Sequence, residues 1–399
     1  MFSFRSKIDS NLKYYMENKV YRKYRVLIKC KNFTKEIAKK ISSYRGELIY
    51  ILEYSNIVCA KLDSRSIERI SEYPEVKYIS FDEYLHLCGM SVSTANKVYI
   101  SEKVSLSGKG IGIGIGIVDS GIYPHPDLLS PSNRISSFTD LINNFQYPYD
   151  DNGHGTCTAG IISSSGITSN NMYKGIAPRS DIYCYKAFDK CGKGFSSIVL
   201  YAIESLIKIS KEKNIKILCL PFELQNHNTF IINAFKDTFD KAIENNIAPI
   251  VPSGSNLNED FSIMGIATLD NCLTVGGVDT NNSLKPYLYS SSGPFKNLSK
   301  PNLSAACVDI VSLNSDTSYL SEKDGFKIYP KKLDVSYKSF SGTSISTAYI
   351  SGICALLYEK NPNLSFKDLC SLLKLSCELG ELPKKQVGEG TINLYKLLD

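Results

Sequence analysis

Three short segments of this sequence carry side chains that do chemistry when they are brought together. Asp119 closes the apolar run Ile115-Gly-Ile-Val-Asp-Ser-Gly121, which places a carboxylate at the end of a strand. His154 lies between two glycines in Asp151-Asn-Gly-His-Gly-Thr156, just ahead of a helix expected from Thr156 to Ile162. Ser344 lies in Phe340-Ser-Gly-Thr-Ser-Ile-Ser-Thr-Ala348, at the start of an apolar helical run, where a helix N-terminus favours developing negative charge. A serine hydroxyl is a weak nucleophile until a base takes its proton, and a carboxylate keeps that base in the right tautomer. Taken singly, His154 reads as a structural histidine and Ser344 as a helix cap. In the order Asp, His, Ser, each in a glycine-rich setting, they point to acyl transfer by an activated serine.

The elements around them must form a sheet that gathers strand ends. Ile111 to Val118, Ile182 to Ala187, Ile215 to Leu220 and Ala248 to Val251 read as strands. Ile198 to Ile209 and residues 230–245 have helical spacing between them. That alternation predicts an α/β fold: a doubly wound, mainly parallel sheet with helices on both faces, whose strand ends carry the site. The glycines at 108, 110, 112, 114 and 116 invite a dinucleotide-binding reading, but no frame gives Gly-x-Gly-x-x-Gly and the run precedes the strand. Close packing is the better use for them.

Upstream, residues 1–90 read as a small α+β module of ferredoxin-like order βαββαβ, followed by a catalytic unit over 91–399. Its strands are Tyr24 to Cys30, Leu48 to Leu52, Ile57 to Leu62 and Val76 to Ser80, with helices marked by Ile37, Ala38 and Ile41 and by Ile67 and Ile70. The polar stretch from Cys88 to Asn96 reads as a connection. Bulk properties narrow the function classes. A net charge of +6 is mild and evenly spread, and no basic patch is interleaved with aromatics, so nucleic acid is not expected as a partner. No apolar run approaches the roughly 18 residues of a membrane span. The start, from Met1 to Asp9, lacks the apolar core of a secretory signal. Twelve scattered cysteines then read as reduced thiols, and a cytoplasmic location is expected.

Asp119-Ser-Gly, His154-Gly-Thr and Gly342-Thr-Ser344 resemble the signature segments of the subtilisin-like serine proteases, the subtilase family, over about residues 98–380. Gly175-Ile-Ala-Pro178 and Lys300-Pro301 also resemble family segments. Gly121 to Leu128 and Tyr149 to His154 are similar to the intracellular alkaline proteases of spore-forming bacteria. The resemblance implies a serine endopeptidase with Ser344 as nucleophile, His154 as base and later acid, and Asp119 as the orienting carboxylate. It implies that residues 1–90 are a prodomain, both folding chaperone and inhibitor, with autoprocessing within residues 82–98. Protein or peptide substrates and the chain's own prodomain are the implied partners. No cofactor is implied as a requirement; many relatives bind calcium, but no acidic loop here has clear ligand spacing.

The departures from the family cluster on one side. Where Asn is expected to supply the oxyanion hole, the sequence reads Ser253-Gly-Ser255-Asn256, so Ser255 or Asn256 is the candidate donor. The substrate-binding stretch runs through Cys219, Leu220 and Pro221 to Phe222-Glu223, and is expected to face substrate with Ser253 and Gly254. Pro221 removes a backbone donor and Glu223 adds a charge. A working endopeptidase of altered efficiency and a protease-like protein with a binding or regulatory role therefore both stay open.

Overall fold

Tyr24, Val26, Ile28 and Cys30 alternate inward along the strand Tyr24–Cys30, which becomes an inner strand of an antiparallel sheet ordered Glu47–Leu52, Ile57–Leu62, Tyr24–Cys30, Val76–Phe81. Helices Thr34–Ser43 and Ser64–Ser71 bury Ile37, Ala38, Ile41, Ile67 and Ile70 in the core of this unit, and Asp63 caps the second by accepting from the Ser66 backbone N–H at 2.8 Å. A further helix, Ser10–Glu17, was not expected; it buries Leu12 and Met16, four residues apart on one face. The computed structural model describes residues 7–52, 56–82, 90–91, 108–224, 228–281, 283–295 and 298–398. The chain divides into two units, Met1–Cys88 and Gly89–Asp399.

In the larger unit seven strands run parallel, in the order Leu303–Ala306, Leu273–Asp279, Ala248–Pro252, Ile215–Cys219, Gly114–Asp119, Asp181–Lys186, Ile135–Asp140. The strand Gly114–Asp119 is buried along its whole length, as a parallel strand covered on both faces must be. Helices Ser196–Lys213 and Thr229–Glu244 supply Ile203, Leu206, Phe235 and Phe239 to one apolar cluster. Helices His154–Ser163 and Thr343–Lys360 supply a separate one, and fifteen of the eighteen residues of the latter are buried.

Three expectations shift. The strand expected from Ile111 begins at Gly114, because Gly110 and Gly112 take left-handed backbone angles (φ 77° and 71°) and make a turn. The helix expected from Thr156 begins at His154 itself. Within the expected polar connection, Met90–Ser91 pairs in parallel with Ile310–Leu313, an edge the period-2 pattern is too short to reveal. The rest of that connection lies outside the described residues, as does most of the expected processing region, 82–98.

Candidate active site

The chain leaves strand Gly114–Asp119 toward Asp181–Lys186 and Ile135–Asp140 on one side, and later fills the sheet on the other with Ile215–Cys219. Asp119 therefore lies at the switch point of the sheet, at the carboxyl end of its strand, where open α/β sheets form their crevice. The carboxyl ends of Ile215–Cys219 and Ala248–Pro252 are the next two along, so residues 219–223 and 252–256 follow beside it.

Asp119 is 4% exposed and accepts a hydrogen bond from His154 Nδ1, with its two oxygens at 2.8 and 2.9 Å. Thr158 Oγ1 and the Ser120 backbone N–H donate to the same carboxylate, at 3.2 and 2.6 Å. Burial works against a charge on the imidazole, but the charge and hydrogen bond of Asp119, with Asp150 behind them, outweigh it and hold the His154 pKa above its ordinary value. With Nδ1 committed to Asp119, Nε2 is the nitrogen left for a substrate-side partner.

The loop that carries His154 is held from beneath. Asp150 is wholly buried and accepts from Ser120 Oγ (2.9 Å), the Gly153 N–H (2.8 Å), the Thr156 N–H (2.9 Å) and Thr156 Oγ1 (2.6 Å). It thereby satisfies backbone donors that the first turn of a helix leaves free. Gly155 is needed at this crossing, since a Cβ there would lie 2.0 Å from the Gly121 carbonyl oxygen. Lys186, also wholly buried, donates to Asp151 Oδ1 at 2.6 Å, to the Phe188 carbonyl at 3.1 Å and to the Ser120 carbonyl. Sequence reasoning missed Lys186; its signal is a lysine closing the run Ile182-Tyr-Cys-Tyr185 of the strand Asp181–Lys186.

Ser344 is the second residue of helix Thr343–Lys360, whose N-cap is Gly342, so it is not the cap that a bland reading expects. At this position its backbone N–H has no partner within the helix. Thr343 Oγ1 donates to the Gly254 carbonyl at 3.3 Å, which fastens the serine's helix to the strand end at 252–256. Among the described hydrogen bonds none joins Ser344 to His154; such bonds are often long in the free state and tighten with substrate.

The substrate side differs from expectation. Cys219 and Leu220 are wholly buried in the core, and Ser253 is buried with its hydroxyl 3.1 Å from that of Ser290. These side chains therefore face inward. The wall moves along the chain to Pro221, Phe222 and Glu223, which line a cleft of ≈ 540 Å³ together with Asp119, His154, Phe188 and Lys193. Gly254 stays at this edge, against Glu223 Oε2. Ser255 gives its backbone N–H to Glu223 Oε2 at 2.8 Å and its hydroxyl to Glu223 Oε1. Asn256 is turned the other way: its N–H goes to Ser291 Oγ at 2.9 Å and its amide to the Ser262 carbonyl at 3.4 Å. Among the described hydrogen bonds the Ser255 hydroxyl is committed to Glu223 and the Asn256 amide is directed to the Ser262 carbonyl.

Asp150 and Asp151 are committed to protein donors, and the described residues contain no group of three or more His, Cys, Asp or Glu side chains placed to share a metal ion. No helix among them is long and apolar enough to cross a membrane.

Comparison with known proteins places this geometry. Residues 110–390 match the subtilase family, Peptidase_S8. Serine protease AprX of Bacillus subtilis is 32% identical over 281 residues, covering 68% of this chain and 62% of that protein's length. Subtilisin E of the same organism is 25% identical over 327 residues, covering 81% of this chain and 75% of the relative. Among solved structures, sphericase superposes with a TM-score of 0.59 at 21% identity, over 74% of this chain and 91% of its own. The structure of fervidolysin from Fervidobacterium pennivorans, described as a keratinolytic enzyme related to subtilisin, matches with a TM-score of 0.59 at 18% identity, over 95% of this chain and 61% of that one. These two show a shared fold.

Proposed function

The chain belongs to the subtilase family of serine proteases, and from that premise we propose that it is an endopeptidase working through Ser344, His154 and Asp119. The observation that carries the reading is the Asp119–His154 pair at the switch point of the sheet, within the matched family span. Ser344 Oγ attacks the scissile carbonyl carbon while its proton passes to His154 Nε2. Asp119 stabilises the imidazolium and keeps Nδ1 protonated. The tetrahedral oxyanion takes the Ser344 backbone N–H at the helix start, where the local field favours negative charge. His154 then gives its proton to the leaving amine. Water, activated by the same imidazole, hydrolyses the acyl-enzyme on Ser344 and frees the serine.

Residues 1–90 act in this proposal as a prodomain that blocks the cleft until it is cut; their separate apolar core and βαββαβ order support that. The eleven described cysteines are all unpaired, which supports a reducing, cytoplasmic setting. Substrate is protein or peptide, and the chemistry calls for no cofactor. A second reading, low turnover with a binding or regulatory role, is favoured by one observation: both donors of Ser255 are spent on Glu223.

A serine-directed fluorophosphonate tests the assignment. It should label wild-type protein at one site and leave folded Ser344→Ala unlabelled; equal labelling of the two would overturn it. In the same samples wild-type protein should lose about 10 kDa from its N-terminus, an estimate from the length of a small domain, and Ser344→Ala should not.

A further inference from the structure

Glu223 is half-buried in the wall of the cleft that holds His154 and Asp119, and it has no cationic partner among the described residues. Among the described residues its two oxygens accept hydrogen bonds from Ser255, from the backbone N–H and the hydroxyl. Asp119 is already committed to His154, so Glu223 is the carboxylate in this cleft with charge left to offer. Lys193, on the cleft lining, lies where its charge acts on Asp189 and no ion pair joins it to Glu223. Beside Glu223 stand two aromatic rings of the same lining, Phe188 and Phe222, with centroids 5.3 Å apart. An apolar aromatic surface ending in an uncompensated carboxylate matches a side chain with a long hydrocarbon stem and a cationic head. The placement is close to the chemistry: Glu223 Oε2 lies against Gly254, whose carbonyl is bound by Thr343, the neighbour of Ser344.

We infer that Glu223, with Phe188 and Phe222, is a specificity site for a lysine or arginine side chain near the scissile bond of the substrate; this rests on the protease reading above. The same contact does a second job. A cation on Glu223 draws the carboxylate away from Ser255 and returns the Ser255 hydroxyl and N–H to the cleft, where an oxyanion needs donors. Substrates without the cation meet a negative carboxylate beside a developing negative charge, which opposes turnover.

The experiment uses full-length protein, with fluorophosphonate labelling of Ser344 as the check that each preparation is folded and competent. A peptide series carries one variable residue, Lys, Arg, Leu or Glu, moved through four positions on either side of a fixed cleavage site, and kcat/KM is read for wild type, Glu223→Gln and Glu223→Lys. At one position Lys and Arg should exceed Leu by about tenfold, the scale of a partly exposed charge pair helped by packing. Glu223→Gln should erase that advantage, and Glu223→Lys should turn it into a preference for Glu. Labelled, folded enzyme that cleaves peptides with no basic preference at any position, or with a preference that survives Glu223→Gln, overturns this inference alone, whereas labelled, folded enzyme that cleaves no peptide overturns the endopeptidase reading with it. Wild-type protein that is folded and takes no label at Ser344 overturns the protease reading together with it.

Discussion

The two sides of the cleft are built on opposite terms. On the side of the base, the buried charges are answered: Asp119 accepts from His154 Nδ1, Thr158 Oγ1 and the Ser120 N–H, Asp150 holds the loop before His154, and Lys186 ties Asp151 to the carbonyl of Ser120. On the side that meets substrate, among the described residues Ser255 and Glu223 answer each other and the Asn256 amide is directed to the Ser262 carbonyl. The first arrangement is preorganised, with fixed dipoles aimed where charge develops. The second has its donors in hand but engaged, and a negative group where preorganisation calls for positive ends. Proton transfer and oxyanion stabilisation are therefore separable in this protein, and substitutions on the two sides should behave differently.

The largest effects lie with the triad. Ser344→Ala should remove about 10⁶ of kcat, the scale on which a subtilisin loses its nucleophile, and Asp119→Asn should cost about 10⁴, with the fold retained in both. Steady-state kinetics on one peptide with circular dichroism alongside checks the pair; a fall of less than tenfold for Asp119→Asn would mean that the saturated side is not where the base works. Its pH profile sharpens the point. The active form of His154 is neutral and its pKa is raised, so wild-type kcat/KM should fall, as pH drops, through a value above the ordinary 6.5 or so of histidine. In Asp119→Asn burial acts without the countering charge, and that acid limb should move to lower pH.

Effects on the opposite side are smaller and include a gain. One side-chain donor in a subtilisin oxyanion hole is worth about 10²–10³ in turnover. Ser255→Asn should recover part of this, raising kcat by about tenfold or more on a substrate with a basic residue, because the longer amide reaches past Glu223. A loss of activity would show that Ser255 already serves the oxyanion. The smallest effect is expected for Asn256→Ala, within about twofold, since its amide holds the Ser262 carbonyl and not the cleft; a fall of 10² would reverse the assignment of the loop.

How much could be read from the sequence follows the same division. The places of Asp119 at a strand end and of Ser344 at a helix start were legible because each sits in a short run whose glycines and apolar neighbours fix its backbone, and the α/β alternation followed from buried strands such as Gly114–Asp119. The βαββαβ order of the first unit was legible from period-2 and helical spacing, down to the strand Ile57–Leu62. Helix Ser10–Glu17 was not, since only Leu12 and Met16 are buried in a polar segment. Cys219 and Leu220 were assigned to substrate from their place on a strand end; their side chains are buried, because the apolar run of the strand continues through both. The Glu223–Ser255 contact joins residues 32 apart in sequence, and no local pattern encodes which loop ends meet across neighbouring strands. Tertiary pairing decides that, and it decides the character of the site.

The helix Thr343–Lys360 has one more consequence. Its fifteen buried residues run through the middle of the larger unit, and the second residue is the serine itself. Its neighbours Thr343 and Ile345 are buried, so the backbone of the proposed nucleophile is held by the interior of that unit. Loss of probe labelling on heating should then coincide with the cooperative melting of that unit, so the reactive serine doubles as a gauge of the folded fraction, readable one molecule at a time in a crude mixture where no spectroscopic signal could be isolated.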